Sequence, residues 1–291
     1  MATANIYQIC YSEETRKSLD PGFHVLDNMT NLRPDWREYW PIRNVLLNNQ
    51  LNEREYYGFF SPKFGAKTNL SAAEVHEFIR KQDGKPDVIH FSPFFDQSAF
   101  SHNVFAQFTV HNSGLKIMEE CIAAVTPGYE KFMLAGVMDS RNTIYCNFFV
   151  ARPSFWKMWL YTCEILFKIA EEKTTSLGVQ LNELVPHDGH YVPAKVFMIE
   201  RMASLMLILN NLDAVAFDPW KLPHSNSKVA KYVGDLICMD ALKVAFRTER
   251  HESYMTRHQE MAVMLVERII ANEKKLIAES KQSRLNRGKH R

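Results

Sequence analysis

The densest set of chemically capable side chains in this sequence is His187-Asp188-Gly189-His190. Two imidazoles and a carboxylate within four residues are able to bind a metal or act as a general base, because histidine titrates near neutral pH. Their spacing matches no zinc signature, since a glycine-containing turn leaves the ring directions unfixed. An exposed loop between helices accounts for the same composition. Glu200-Arg201 places two charges at the head of the apolar segment 199–209, either as a structural ion pair or as a carboxylate able to take a proton from a hydroxyl. Glu200 and Asp188 are therefore the two candidate bases. Asp27-Asn28, Lys63 and Asp96-Gln97 each follow an apolar strand. Asp27-Asn28 equally suits an Asx turn, and Lys63 a solvated surface group.

The elements that must hold these groups are short apolar strands, each running into a polar corner. Tyr57-Gly58-Phe59-Phe60 leads into Ser61-Pro62-Lys63, Val88-Ile89-His90-Phe91 into Ser92-Pro93, and residues 145–150, which include Asn147, into Ala151-Arg152-Pro153. Open α/β sheets bind ligands just outside the carboxyl ends of their strands, so such corners imply a small-molecule site on a mostly parallel sheet. Strands are expected at 6–11, 23–26, 56–60, 88–91, 143–150 and 214–217. Helices are expected at 36–47, 115–125, from Pro153 to about 169, and at 198–209. Ser71 with Glu74 forms a capping box that opens a helix through Arg80, and Pro153 suits the first turn of the next long helix. Asn103, Gln107, His111 and Asn112 give the stretch 97–115 the character of a polar, uncharged loop. The aromatics Phe94, Phe95, Phe100, Phe105 and Phe108 belong to a core more often than to a stacking platform.

With 291 residues and 46% hydrophobic content the chain buries a sizeable core, and a net charge of +2 argues against a general nucleic-acid binder. Five scattered cysteines without a Cys-x-x-Cys pair favour reduced thiols and a cytoplasmic setting. No basic-then-apolar leader and no span of membrane length is expected. The character changes after Pro223, which divides the chain into a domain at 1–222 and a helical extension at 223–291. The stretch 253–278 reads as an amphipathic helix followed by the basic residues Lys281, Arg284, Arg287, Lys289 and Arg291. Such an end is either a solvated tail or a contact for an anionic membrane surface or a partner.

Asp27-Asn28, the Tyr39-Trp40 helix, Tyr57-Gly58-Phe59-Phe60-Ser61-Pro62-Lys63-Phe64, Asp87-Val88-Ile89, Asn147-Phe148-Phe149-Val150 and Glu200-Arg201 occur in an order and spacing that resemble small bacterial surface-polysaccharide glycosyltransferases. The resemblance covers residues 5–220. In such relatives the segment matching 57–64 usually reads Gly-Leu-x-His-Tyr-Arg-Arg-Tyr-Phe; here Ser61-Pro62-Lys63 replaces the basic centre.

The resemblance implies an α/β, GT-A-like fold: a mostly parallel sheet flanked by helices, with a helical C-terminal extension. It implies a nucleotide-sugar donor and a glycan acceptor, which in this family is a lipid-linked intermediate at the inner face of the membrane. Asp27 and Asn28 would receive the nucleoside, Asn147, His187 and His190 the acceptor, and Glu200 or Asp188 the acceptor proton. The departing diphosphate needs positive charge. There is no Asp-x-Asp, so that charge would come from Mn or Mg held by a single carboxylate, with Asp96 the candidate, or directly from Lys63 and Arg152. A transferase fold retained as a catalytically inactive binding or scaffold protein is the alternative. An unrelated α/β enzyme such as a hydrolase is disfavoured by the absence of Gly-x-Ser-x-Gly, Gly-x-Gly-x-x-Gly and Walker motifs.

Overall fold

The computed structural model describes residues 3–111, 115–187 and 189–288, without the side chains of 109–111, 115 and 281–288. The chain opens with β1 (Ala4–Cys10), α1 (Glu13–Ser18) and β2 (His24–Asp27), followed by a 3-10 turn at Pro34–Trp36 and α2 (Tyr39–Asn48). Next come β3 (Tyr56–Phe60), α3 (Phe64–Thr68), α4 (Ala72–Lys81) and β4 (Val88–His90). Four helices, α5 (Phe95–Phe100), α6 (Val104–His111), α7 (Leu115–Val125) and α8 (Glu130–Ala135), precede β5 (Phe149–Ala151) and α9 (Pro153–Glu172). Then follow α10 (Ser176–Gln180), the strands β6 (Leu184–His187) and β7 (His190–Pro193), α11 (Ala194–Leu209), β8 (Ala214–Ala216), α12 (Val233–Glu249) and α13 (Ser253–Gly288).

Six strands form one sheet in the order β2-β1-β3-β5-β4-β8, and β6 and β7 form a separate hairpin. All pairs of the main sheet are parallel except those of β5, which runs antiparallel to both β3 and β4. The central strands β3, β4 and β5 are buried on both faces, and the residues of the inner strands alternate between two cores with period two. Ile9, Tyr57, Phe59, Val88, Phe149 and Ala151 face one core, with α2, α6, α7, α9 and α11. Ile6, Tyr56, Phe60, Ile89 and Val150 face the other, with Phe64 of α3 and Val75 and Ile79 of α4. Gly58 allows β3 and β5 to pair on this second face, since a Cβ there would lie 2.5 Å from Val150 Cγ1. Each fully buried aromatic or aliphatic side chain contributes on the order of 2 kcal/mol.

The expected strands and the two expected helices occur in order from β1 to β4, with the short helices α1 and α3 added between them, and two local signals act as anticipated. Ser71 and Glu74 form a reciprocal capping box at α4, and Pro153 occupies the first turn of α9. Residues 143–148 differ from expectation: they are not strand but a turned segment ahead of a three-residue β5. The stretch 97–111 is not a loop either, because Asn103 turns its polarity into a cap for α6, accepting from Phe105 N and Ala106 N and donating to Leu134 O and Gly136 O.

A third core joins α5 to the C-terminal helices through Phe95, Ala99, Leu236, Met239 and Leu265. Beside it, buried Lys243 caps the carbonyls of Ser98, Ser101 and Met138, and Asp240 accepts from Ser140 N and Oγ. All five cysteines are unpaired. Among the described residues no helix is long and apolar enough to cross a membrane.

Two buried histidines link this fold to pH. His90 donates through Nε2 to Arg141 O at 2.9 Å and accepts at Nδ1 from Ser92 N, and His258 donates to Ala99 O at 3.0 Å. Burial holds both near a pKa of about 4. The unfolded chain binds protons at these sites near pH 6.5, so it takes up more protons than the native state between pH 6.5 and 4. Stability is expected to fall across that window as pH drops, by roughly 1.4 kcal/mol per pH unit for each histidine. Urea denaturation at a series of pH values checks this: His258→Gln, which keeps a donor for Ala99 O, should lower the slope, and an unchanged slope would exclude His258 from the effect.

Candidate functional site

The carboxyl ends of β1, β2, β3, β4 and β8 and the amino end of β5 all lie on one edge of the sheet. β1 connects to β2 on one side, while β3 pairs with β1 on the other, so this edge contains a topological switch point. Gln8 closes its base: Nε2 reaches Ser61 O and Pro62 O at 3.4 and 3.5 Å, and Oε1 accepts from Asp20 N. Tyr11 follows β1, Asn28 follows β2, Ser61 follows β3, and Tyr145-Cys146-Asn147 precedes β5.

Five buried side-chain polar atoms among the described residues have no hydrogen-bond partner. Three of them, Tyr11 Oη, Tyr145 Oη and Asn147 Oδ1, belong to this edge. Buried polar groups are normally paired, because leaving one unsatisfied costs about 1–3 kcal/mol. The backbone is also strained here. Cys146 and Asn147 take φ of 61° and 54°, and Arg37 sits at φ 50°, ψ −132°, a region that favours glycine.

The charges converge on the same place. Lys67, one helical turn beyond Lys63 on α3, donates to Cys146 Sγ at 3.1 Å. Burial opposes the Lys67 charge, but Cys146, Glu200 and Glu38 outweigh it and hold the ammonium above its usual pKa. Burial pushes the Cys146 thiol up to about 12 despite Lys67. Burial likewise raises the Glu200 carboxyl above its ordinary value; Arg201 and Lys67 oppose this, and the neighbouring charge of Glu38 adds to it. Glu38 also helps to raise the Tyr11 phenol, behind burial. One cation, two carboxylates and three unpartnered hydrogen-bonding groups thus gather at the carboxyl edge of the sheet. Such a set is able to hold a polar, hydroxylated ligand and to accept a proton from it.

Of the residues singled out in the sequence, Asn28, Asn147 and Glu200 belong to this constellation, and Lys63 lies at its rim as the exposed residue preceding α3. Asp27 is exposed at the same edge, where one oxygen closes an Asx turn by accepting from Met29 N. His187 and His190 stand on the β6–β7 hairpin with ring centroids 5.4 Å apart, and His187 packs against Phe197 of α11. The hairpin adjoins the Pro34–Trp36 turn that leads to Arg37 and Glu38. Asp188 lies outside the described residues.

Two candidates go elsewhere. β5 is antiparallel, so Arg152 emerges at the opposite edge of the sheet, where it donates to Arg54 O and Gly84 O and stacks over Tyr56. Asp96 is fully buried, and its oxygens accept from Ser225 N, Ser225 Oγ, Ser227 Oγ and Gln97 Nε2. That leaves it a clamp for residues 225–227 rather than a group open to a metal. Among the described residues no three His, Cys, Asp or Glu side chains form a set that could hold a metal ion.

Tyr11, Glu38, Lys67, Tyr145 and Cys146 are members that sequence reasoning passed over. Their signal was position alone: tyrosines directly outside strand ends, and a lysine four residues after the one already noticed.

The unpartnered hydroxyls carry a testable consequence. Tyr145→Phe removes a buried oxygen that bonds to nothing in the free protein, so thermal unfolding should show equal or higher stability, by up to about 1 kcal/mol. A loss of more than about 1 kcal/mol would mean that the hydroxyl serves the fold and not a ligand.

No family model matches this sequence, and no curated protein does. Over 77% of this chain and 46% of the other, the structure is similar to the apo structure of WbbM, a bifunctional glycosyltransferase, with 14% sequence identity and a TM-score of 0.44. The chain spans less than half the length of that neighbour.

Proposed function

We propose that this chain is a glycosyltransferase of GT-A-like fold that moves a sugar from a nucleotide-sugar donor to a hydroxyl of a glycan acceptor. The reading places the acceptor on a lipid-linked surface-polysaccharide intermediate. Its main support is the set of groups at the carboxyl edge, where Glu200, a carboxylate with raised proton affinity, shares the field of Lys67 with unpartnered hydrogen-bonding groups suited to sugar hydroxyls.

In the reaction, Glu200 accepts the acceptor hydroxyl proton as that oxygen bonds to the anomeric carbon. The bond from that carbon to the diphosphate oxygen breaks, and its electron pair leaves with the nucleoside diphosphate. Lys67 and Lys63 supply the positive charge that the leaving group needs. Asn28 and Asp27 sit at the end of β2 for the nucleoside, and Asn147, His187 and His190 for the acceptor. Asp188 is the second base candidate. With Glu200 as base the displacement inverts the anomeric centre.

A second reading, a transferase fold that binds without turnover, is favoured by one observation. Asp96, the carboxylate best placed in sequence for a metal, is saturated with hydrogen bonds.

A thermal-shift series with nucleoside diphosphates and nucleotide sugars, with and without Mn or Mg, separates these readings. A ligand at about a hundredfold excess over its Kd adds roughly 2.7 kcal/mol, several degrees for a chain of this size. Glu200→Gln should retain the shift while turnover falls by about 10²–10⁴-fold. Because Glu200 acts as a base with a raised pKa, the acidic limb of kcat/KM should lie above pH 4.5. Binding without turnover in the wild type supports the second reading, and no binding by any nucleotide overturns both.

A further inference from the structure

The charge of this chain is unevenly distributed. Its net charge is +2, yet residues 274–291 contain seven Lys or Arg against the single Glu279, so the rest of the molecule is net acidic. Residues 274–288 form the last turns of α13. Up to residue 273 the helix is tied to the body. Met255, His258 and Leu265 are buried, Arg268 pairs with Asp235, Asn272 donates to Tyr232 Oη, and Glu273 pairs with Lys228. From Lys274 to Ser280 every side chain is exposed. Residues 274–288 therefore extend for about 22 Å at helical rise.

That exposed end is not simply a solvated polar helix. Leu276 and Ile277 are 64% and 55% exposed. Ile277 continues an apolar stripe at seven-residue spacing through Val263 and Ile270, with Val266 beside it, all exposed. Val266 and Ile270 also border an apolar groove of about 300 Å³ shared with Phe100 and Val229. A stripe of this kind flanked by Lys274 and Lys275 suits an interface that is apolar in depth and anionic at its surface. A second copy packed parallel along this helix fits poorly, because the two basic stretches would repel.

We infer that the C-terminal part of α13 docks the protein on an anionic lipid bilayer, with Leu276 and Ile277 entering the headgroup region and Lys274 and Lys275, together with the basic residues of the sequence beyond, meeting lipid phosphates. The helix packs on α12, and α12 on α5, which follows the carboxyl end of β4. The docking element is thus built onto the part of the chain that leaves the edge carrying the candidate cleft. This inference rests on the glycosyltransferase reading only for its purpose, which is to bring the cleft to a lipid-linked acceptor.

Co-sedimentation of the full chain with vesicles of phosphatidylcholine alone, or containing about 30% phosphatidylglycerol, tests it without reference to catalysis. On the order of tenfold more protein should bind the anionic vesicles, and high salt should release most of it. Leu276→Glu/Ile277→Glu and Lys274→Glu/Lys275→Glu should each cut binding by roughly tenfold or more with an unchanged melting temperature, since all four side chains are exposed. Equal binding to both vesicle types, or no effect of either variant, would overturn the inference. So would a wild-type dimer that the Leu276→Glu/Ile277→Glu variant converts to monomer, because the face would then belong to a second copy. Vesicle binding and nucleotide binding are read separately, so failure of one is distinguishable from failure of the other.

Discussion

The structure depends on one strand running against its neighbours. β3 and β4 are parallel and share no ladder; β5, wedged between them, supplies the hydrogen bonds that join the two parts of the sheet. An antiparallel strand must be entered from the carboxyl edge, so the chain between α8 and β5 has to cross that edge before it can pair. This crossing puts Tyr145, Cys146 and Asn147 at the cleft and turns them through two left-handed residues. Leaving by the opposite edge, the chain passes Arg152 into Pro153 and α9, whose Trp156 Nε1 donates back to Tyr57 O at 2.9 Å. The position of the cleft and the anchoring of α9 are two ends of one topological constraint.

The electrostatics of the cleft follow from how its neighbours spend their hydrogen bonds. Arg201 is adjacent to Glu200 in sequence, yet its guanidinium donates to Val104 O, Phe197 O and Gln107 Oε1 and lies over Phe108. It is committed to the core behind α11, and Glu200 forms no hydrogen bond or ion pair among the described residues. A carboxylate in low dielectric without a direct partner holds its proton more tightly. Lys67 is too far committed to Cys146 to neutralise Glu200 fully, and Glu38 adds repulsion. The result is a basic carboxylate and a firmly charged ammonium in one space, which a structural ion pair would have cancelled.

What the sequence showed of this arrangement was local, and what it hid was directional. The capping box at Ser71, the proline that starts α9 and the strand order through β4 rest on contacts within a few residues, and composition reports these well. An apolar run along 145–150 signals a strand but has no direction, so the Arg152 corner resembled the Lys63 corner although the two lie on opposite edges. Asp96 followed a strand as a ligand would, but its partners Ser225 and Ser227 are about 130 residues away, a distance no local pattern spans. The polar run after Gln97 appeared to be a loop because Asn103 spends its amide on capping rather than on solvent. Lys67 was hidden for a similar reason: a lysine within a short helix reads as surface until the thiol beside it is known.

The two edges of the sheet differ in how well they are satisfied, and the difference bears on function more directly than any single residue does. At the amino edge, Tyr56 Oη donates to Pro86 O, Asp87 Oδ2 accepts from Asp213 N, and Arg152 caps two carbonyls. At the carboxyl edge three buried polar atoms lack partners and a lysine ammonium rests on a thiol, while left-handed non-glycine residues occur at both edges, Cys146 and Asn147 at this one and Asp83 and Asn211 ahead of β4 and β8. Each unpaired buried group costs on the order of 1–3 kcal/mol. A fold able to satisfy one edge so fully has the means to satisfy the other. Concentrating the unsatisfied groups where the switch point also lies is the arrangement expected when a ligand supplies the missing bonds.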